Sequence, residues 1–261
     1  MSIEPVVRLD MDLRVIGSAP PSPFLGACDL FETEYDLSLP VRVRIRESPD
    51  ERTWTAHPGD YHVLNISRQA ATGVMARELA LHEYAHMYHH EMAHPSHTQS
   101  TEEAIYLALT GRRIERRKLA HCYQIANHMK DIYADDITLS VAPATKLVSF
   151  LESGLAQALA DRPRASPWPN GERLSPGSDP EITAVNAAFA LALCERHDLL
   201  SSTHRLYDLA HAASRDAPEI DVDEFRRRFR NLVEDPDESE YRKALVEVTR
   251  SYAIESGPAA D

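Results

Sequence analysis

The chain has 261 residues, of which 43% are hydrophobic, enough for one large domain or two small ones with apolar cores. Its formal net charge of -13 excludes a general nucleic-acid binder, because neutralising phosphates requires a basic surface. No stretch approaches the roughly 20 apolar residues of a membrane-spanning helix, and charged residues interrupt the N-terminal segment where a secretory signal would be apolar. We therefore expect a cytoplasmic protein without membrane or nucleic-acid partners.

The basic residues are mostly arginine, since only 4 of the 28 are lysine. An acidic surface poor in lysine stays hydrated at high salt and favours a halophilic archaeal source, although a GC-rich genome would give the same arginine excess. The three cysteines, Cys28, Cys122 and Cys194, are odd in number and widely spaced. They therefore predict neither a disulfide framework nor a zinc site made of paired cysteines.

The first quarter of the chain predicts three strands and one short helix. Apolar and charged residues alternate at 6–15 and at 41–45, which is the period-2 pattern of half-buried strands. A helix is predicted at 24–35 and a third strand at 61–66, just before the helical part of the chain. This third strand is either a plain structural strand or an edge that pairs with an extended peptide.

From about residue 69 the pattern is helical. Helices are predicted at 69–93, 100–119, 122–139, 144–160, 182–197, 203–215, 222–233 and 238–254. Residues 161–180 are rich in proline, glycine and serine and predict a loop or linker. We therefore predict an α+β fold with a small mixed sheet in residues 1–160, a linker at 161–180 and a helical subdomain at 181–261.

Residues 82–86 form the pattern His-Glu-x-x-His within the predicted helix. Residues four apart lie on one helical face, so His82 and His86 can direct two nitrogens at one zinc ion at roughly 2.0–2.1 Å. Glu83 is displaced by about 100°, where it can accept the proton of a zinc-activated water that attacks a carbonyl. The alternative is a pair of surface histidines on an acidic helix.

A catalytic zinc site needs a third protein ligand and one open position. His89 and Met92 stand where a metzincin would have its glycine and its third histidine, so that class is excluded. His89 and His90 extend the face of His86. They fit a second metal site, an oxyanion donor, or exposed polar residues at the end of a helix that bind metal adventitiously.

A second motif follows at residues 131–135, which read Asp-Ile-Tyr-Ala-Asp. Together with His-Glu-x-x-His, this run resembles the ExxAD pattern of the gluzincin metallopeptidases, over about residues 60–140. It also resembles an uncharacterised archaeal family of metallopeptidase-like proteins. The ligand position carries aspartate instead of glutamate, so the second helix has to lie about one methylene nearer the metal.

The resemblance implies a zincin-like fold in residues 1–160 and a set of site residues. In such a site His82, His86 and Asp131 are the metal ligands and Glu83 is the catalytic base. Asp135 binds the outer nitrogen of a ligand histidine and fixes its tautomer.

Other residues near the second motif fit the same roles less directly. Glu102, Glu103 and His128 are alternative third ligands, and Tyr133 or His128 is a candidate for stabilising the oxyanion of the tetrahedral intermediate. The acidic residues around Asp136 also fit a plain solvated face.

The resemblance implies a hydrolase with one Zn²⁺ per chain, most simply a metallopeptidase that cleaves a peptide or protein substrate. A zinc amidohydrolase that acts on a non-peptide amide would use the same ligands. A non-catalytic regulatory or scaffold protein of zincin fold would keep a structural zinc. The intact Glu83 favours an enzyme, because a structural site requires only the ligands.

Overall fold

The computed structural model describes residues 11–48, 52–161 and 179–255, with side chains up to residue 253. These residues form a small four-stranded sheet and a long series of helices. The predicted α+β class is therefore confirmed. Among the described residues, no helix combines the length and the apolar character that crossing a membrane would require.

Contacts divide the chain into two units. One, the sheet unit, comprises residues 1–94 and 134–143, and the other, the helical unit, comprises residues 95–133 and 144–261. This division does not coincide with the predicted domains 1–160 and 181–261, because the helix that ends at residue 160 contacts the helices that follow it. The predicted linker at 161–180 falls almost wholly outside the described residues and stays a prediction.

The sheet contains β1 (Leu13–Ile16), β2 (Val41–Arg46), β3 (Trp54–Ala56) and β4 (His62–Ser67). The strand order is β1-β2-β4-β3, in which β1, β2 and β4 are parallel and β3 is antiparallel to β4. In the register of the parallel strands, Val43 pairs with both Val15 and Leu64. Val43 and Leu64 are fully buried, and the alternation of apolar and charged residues in β2 places its apolar side chains in the core.

The strand predictions are confirmed for β2 and β4, whereas β3 was not predicted. The strand predicted at 6–15 is observed only from residue 13, and residues 6–10 lie outside the described residues. The suggestion that 61–66 forms an edge is wrong. β4 pairs with β2 on one side and β3 on the other, so its backbone groups are already used.

Three helices accompany the sheet: α1 (Ser22–Phe31), α2 (Arg68–Ala71) and α3 (Ala76–Glu91). The single helix predicted at 69–93 is thus divided in two. At the break the hydroxyl of Thr72 donates to the carbonyl of Arg68 at 2.9 Å, and Gly73 follows with its low helix propensity.

The orientation of α3 is set by its apolar face. Leu81, Tyr84 and Ala85 are fully buried, α3 packs against α1, and the hydroxyl of Tyr84 donates to the carbonyl of Phe24 at 3.3 Å. Burying each of the larger side chains contributes roughly 1.5–3 kcal/mol. This packing fixes the rotation of α3 about its axis and leaves His82 and His86 only partly buried.

The helical unit is built from eight α-helices and a terminal π-helix in the described residues. They are α4 (Pro95–Thr98), α5 (Thr101–Leu109), α6 (Arg116–Val141), α7 (Thr145–Ala160), α8 (Pro180–Arg196), α9 (Arg205–Asp216), α10 (Val222–Arg230), α11 (Glu238–Arg250) and the π-helix Ser251–Glu255. The last part of α6, from residue 134, belongs to the sheet unit. α8 is the centre of the helical unit, because it contacts α7, α9 and α10 and is buried along most of its length.

The helices predicted at 100–119 and 122–139 have their break in the wrong place. α5 ends at Leu109, and α6 runs without interruption from Arg116 to Val141. Gly111 lies between them with φ of 76°, a left-handed conformation that glycine adopts readily and that ends a helix. The continuous α6 carries both aspartates of the second predicted motif, Asp131 and Asp135.

Candidate metal centre

His82 and His86 lie one turn apart on α3, and their side chains converge. Their Nε2 atoms are 3.0 Å apart, and the two rings meet at an interplanar angle of 83°. Two ligands bound to a tetrahedral zinc ion at roughly 2.0–2.1 Å would be about 3.3 Å apart. The pair of nitrogens is therefore close to the spacing that a shared metal ion requires.

Asp135 orients the first of these histidines. His82 Nδ1 donates to Asp135 Oδ1 at 2.7 Å, and the Asp135 side chain is only 6% exposed. With its Nδ1 proton held by this carboxylate, His82 presents the lone pair of Nε2. Hydrogen bonding of the outer nitrogen to a carboxylate is the usual arrangement for metal-binding histidines.

Asp131 precedes Asp135 by one turn on α6. Because α6 is continuous through both residues, this helix sets the position of one carboxylate beside the other. The potential ligand atoms of His82, His86 and Asp131 all lie within 4.8 Å of one another. In the part of the chain that the structure describes, this is the one group of three or more such side chains at that spacing. The three side chains therefore form a cluster that can hold a metal ion.

The donor set of this cluster fits zinc. Two imidazoles and one carboxylate are the protein ligands found in several catalytic zinc sites, where a fourth position stays open for water or substrate. All three residues are partly exposed, so a ligand can reach them. Glu83 follows His82 on α3 and is 7% exposed, which places a carboxylate next to the cluster in the sequence and largely out of bulk water.

The predicted alternative ligands Glu102 and Glu103 are not part of the cluster. Both are exposed in the first turn of α5. Ser100 precedes them as the N-cap and accepts a hydrogen bond from the backbone N–H of Glu103 at 3.1 Å. Acidic side chains at this position stabilise a helix through its dipole, and this accounts for their place in the sequence.

His128 and Tyr133 are held by partners within the helical unit. The ring of His128 stacks on Phe189 with centroids 4.3 Å apart, and its Nε2 is 2.8 Å from the side-chain oxygen of Asn186. Tyr133 donates its hydroxyl proton to the carbonyl of Val233 at 3.0 Å. The Tyr133 hydroxyl proton is thus used within the helical unit, whereas His128 Nδ1 lies 3.6 Å from Asp131 Oδ2, and the suggested oxyanion roles stay predictions.

A second group of imidazoles in the sheet unit was missed at the sequence level. His57 follows β3, and its Nδ1 lies 2.7 Å from Nδ1 of His62 in β4. The ring of His57 stacks on His90 of α3, with centroids 3.8 Å apart and planes inclined by only 8°. No local spacing connects residue 57 with residue 90. The one available signal was the abundance of histidine, which does not identify partners.

The suggestion of a second metal at His89 and His90 lacks a ligand set. Neither residue belongs to a group of three or more potential ligand side chains in the described part of the chain, and the ring of His90 is stacked on His57. His89 instead lies beside His94, with ring centroids 4.6 Å apart. The second-metal interpretation is therefore not supported by the described residues.

The electrostatics of His57 follow from this environment. Burial, together with the neighbouring imidazoles of His90, His62 and His86, lowers the pKa of His57 to about 4. Burial and the proximity of His62 also lower the pKa of His90. Both rings are therefore neutral at physiological pH.

No curated protein and no solved structure matches the chain. A family model does match residues 11–254, a range that contains the whole candidate metal centre and nearly all of the described chain. The chain belongs to this family, a family of unknown function designated DUF5781.

Proposed function

We propose that this protein is a zinc-dependent hydrolase, most simply a metallopeptidase. The observation that carries the proposal is the convergence of His82 Nε2 and His86 Nε2 at 3.0 Å, with Asp135 bound to the far nitrogen of His82. Asp131 completes a three-residue cluster. The spacing of the two histidines, the fixed tautomer of His82 and the mixed nitrogen and oxygen donor set all suit a catalytic zinc ion.

Each residue of the centre has a defined task in this proposal. His82, His86 and Asp131 would hold the ion, and Asp135 keeps His82 in the tautomer that binds it. When bound, zinc supplies a Lewis acid that polarises a carbonyl and lowers the pKa of water. Glu83 accepts the proton of the attacking water and afterwards donates it to the leaving amine, as a general base and then a general acid.

The sheet supports a peptide as the substrate class. β3 pairs with β4 alone among the described strands, so its other side has backbone groups available for an extended chain. Trp54 in β3 is 46% exposed and offers an apolar surface there. A peptide that adds a strand to a sheet edge gains backbone hydrogen bonds without requiring one particular sequence.

Replacement of the base tests the proposal. We expect the wild-type protein and Glu83→Gln to bind one zinc ion per chain, because Glu83 is not a ligand. We expect only the wild type to hydrolyse casein or a peptide library, with a loss of about 10²–10⁴-fold in the variant. Metal content and turnover are measured on the same samples, with Glu47→Gln as the control because its side chain is 72% exposed.

Two results would reject the enzyme proposal. Bound zinc without detectable hydrolysis in the wild type would favour a regulatory or scaffold protein. Hydrolysis that does not depend on Glu83 would show that the reaction takes place elsewhere or through another base.

A further inference from the structure

Glu91, His62 and His57 form a hydrogen-bonded chain in the sheet unit. His62 Nε2 is 2.8 Å from Glu91 Oε1, and His62 Nδ1 is 2.7 Å from His57 Nδ1. His62 is fully buried, so both of its ring nitrogens are occupied by these two partners. The order of donors and acceptors along the chain therefore decides which nitrogen of His57 carries a proton.

Glu91 is fixed as an acceptor. Its carboxylate accepts hydrogen bonds from the backbone N–H of Ser38 at 2.7 Å and of Leu39 at 3.0 Å, and from the Ser38 hydroxyl at 2.5 Å. Burial opposes ionisation of Glu91, but these bonds and the one from His62 outweigh it and lower the pKa of the carboxyl. Because Glu91 is ionised, His62 Nε2 must donate to it.

The positions of the ring protons on His62 and His57 follow from the bond to Glu91. When His62 carries a single ring proton, its donation through Nε2 leaves only a lone pair at Nδ1, and His57 Nδ1 then donates the next hydrogen bond. His57 Nε2 is then left with a lone pair. No hydrogen-bond partner for it is found among the described residues, while stacking on His90 holds the ring in place. His57 is thereby a hydrogen-bond acceptor at Nε2 and not a donor.

His57 lies near the candidate metal centre. It follows β3 directly, and His90, on which it stacks, is one turn beyond His86 on α3. The electrostatic influence of His86 on His57 is consistent with that proximity. A neutral acceptor that is held by two hydrogen-bonded neighbours and one stacked ring is suited to recognising a donor in a ligand.

We propose that Glu91 and His62 set the tautomer of His57, so that its Nε2 accepts a hydrogen bond from a substrate N–H group at the metal centre. The part that concerns the substrate rests on the proposed function. It narrows the substrate to compounds with an amide or amine N–H next to the scissile bond, as in a peptide. It also separates His57 from an oxyanion-stabilising histidine, which would have to donate.

The tautomer is measured directly by long-range ¹H–¹⁵N NMR on the full-length, zinc-loaded protein with ¹⁵N-labelled histidine at pH 8. We expect the wild type to show His57 protonated at Nδ1 and His62 protonated at Nε2. In Glu91→Gln the amide oxygen at the Oε2 position keeps both Ser38 bonds, whereas the amide NH₂ at the Oε1 position faces His62 and gives up the single bond from the Leu39 N–H. Both hydrogen bonds along Glu91, His62 and His57 then reverse direction, and the ring proton of His57 moves from Nδ1 to Nε2.

The role in binding is measured with a casein-derived peptide. We expect His57→Phe, which keeps a ring to stack on His90, to raise KM about fivefold to tenfold, as expected for the loss of one hydrogen bond. Glu91→Gln should raise KM similarly although His57 is intact. In both variants kcat should change less than KM and zinc content should stay at the wild-type level, with Glu47→Gln as the exposed control.

Several outcomes would overturn the inference. By NMR, they are a wild-type His57 protonated at Nε2, or an unchanged His57 tautomer in Glu91→Gln. In the kinetic and metal measurements, they are an unchanged KM in His57→Phe, or a loss of zinc in His57→Phe, which would make His57 a ligand. A different pair of results separates the two proposals. If the wild type cleaves no peptide but the His57 tautomer still reverses in Glu91→Gln, the proposed function and the substrate role are rejected and the tautomer assignment stands.

Discussion

The sheet unit and the helical unit each contain a cluster of ionisable side chains, and the two clusters are built differently. In the helical unit Arg117 donates to Asp179 at 2.6 Å and to Glu181 at 2.5 Å, and the hydroxyl of Tyr252 donates to Glu181 at 2.8 Å. In the sheet unit, by contrast, two imidazole nitrogens of His82 and His86 face each other at 3.0 Å.

The difference indicates what each cluster does. In the helical unit a cation faces two anions, and Asp179 and Tyr252 are almost fully buried, so the groups satisfy one another and tie α6, α8 and the π-helix together. Two facing imidazole nitrogens can share only one proton, and a cation between them satisfies both lone pairs. The first arrangement joins three elements through groups that satisfy one another, whereas the second is suited to binding a cation.

The largest effect that this comparison predicts is the loss of zinc from His86→Ala. Removing one of three protein ligands should weaken zinc binding by at least about a hundredfold, while the free energy of unfolding of the metal-free protein should change little, because His86 is partly exposed. Competition with a chelator of known affinity measures the first quantity, and urea unfolding measures the second. His89→Ala, one turn further along α3, is the control and should retain zinc.

A smaller effect is expected from Asp131→Ala. This variant should bind zinc about tenfold to a hundredfold more weakly, because two imidazoles still converge. Asp136→Ala changes a carboxylate on the same helix that is not part of the cluster, and it should retain zinc. Equal zinc affinity in the two variants would remove Asp131 from the ligand set and return Glu102, Glu103 and His128 to consideration.

These expectations also show which parts of the molecule were accessible from the sequence. His82, His86, Asp131 and Asp135 repeat at spacings of four within helices, so the local periodicity of the helix brings each pair onto one face. That Asp131 and Asp135 lie beside His82 and His86 was implied only by the resemblance to the gluzincins, and the zinc ion and the reaction stay predictions.

Features that depend on contacts between distant segments were not accessible. The stacking of His57 on His90 requires that the turn after β3 lie against α3, and nothing local to either residue encodes this contact. Likewise β3 has only three residues, Trp54–Ala56, too few to show an alternating pattern, and it becomes a strand because β4 offers it an edge. The boundary predicted between residues 119 and 122 failed for a related reason. Only the structure shows that the chain leaves the helix after Leu109 and that Gly111, just beyond α5, has a left-handed backbone.

The smallest predicted effect concerns the cluster of the helical unit and uses Tyr252→Phe. The hydroxyl of Tyr252 donates to Glu181 and forms a short hydrogen bond with His121 Nδ1, and both partners are buried. Its removal leaves these groups without one hydrogen bond each, which should cost about 1–2 kcal/mol of the free energy of unfolding. For a chain of this size that corresponds to a decrease in Tm of a few degrees.

Thermal and urea unfolding of Tyr252→Phe are best compared with Tyr123→Phe, because Tyr123 is a 37% exposed tyrosine of α6 whose hydroxyl should contribute little. Zinc affinity and peptide hydrolysis should be the same in both variants. If Tyr252→Phe instead lowered zinc affinity and left the unfolding transition unchanged, the helical cluster would have a functional role and the contrast between the two units would be wrong. If Tyr252→Phe lowers only the stability, the contrast is supported, because a change in the helical cluster then affects unfolding and leaves zinc binding unaffected.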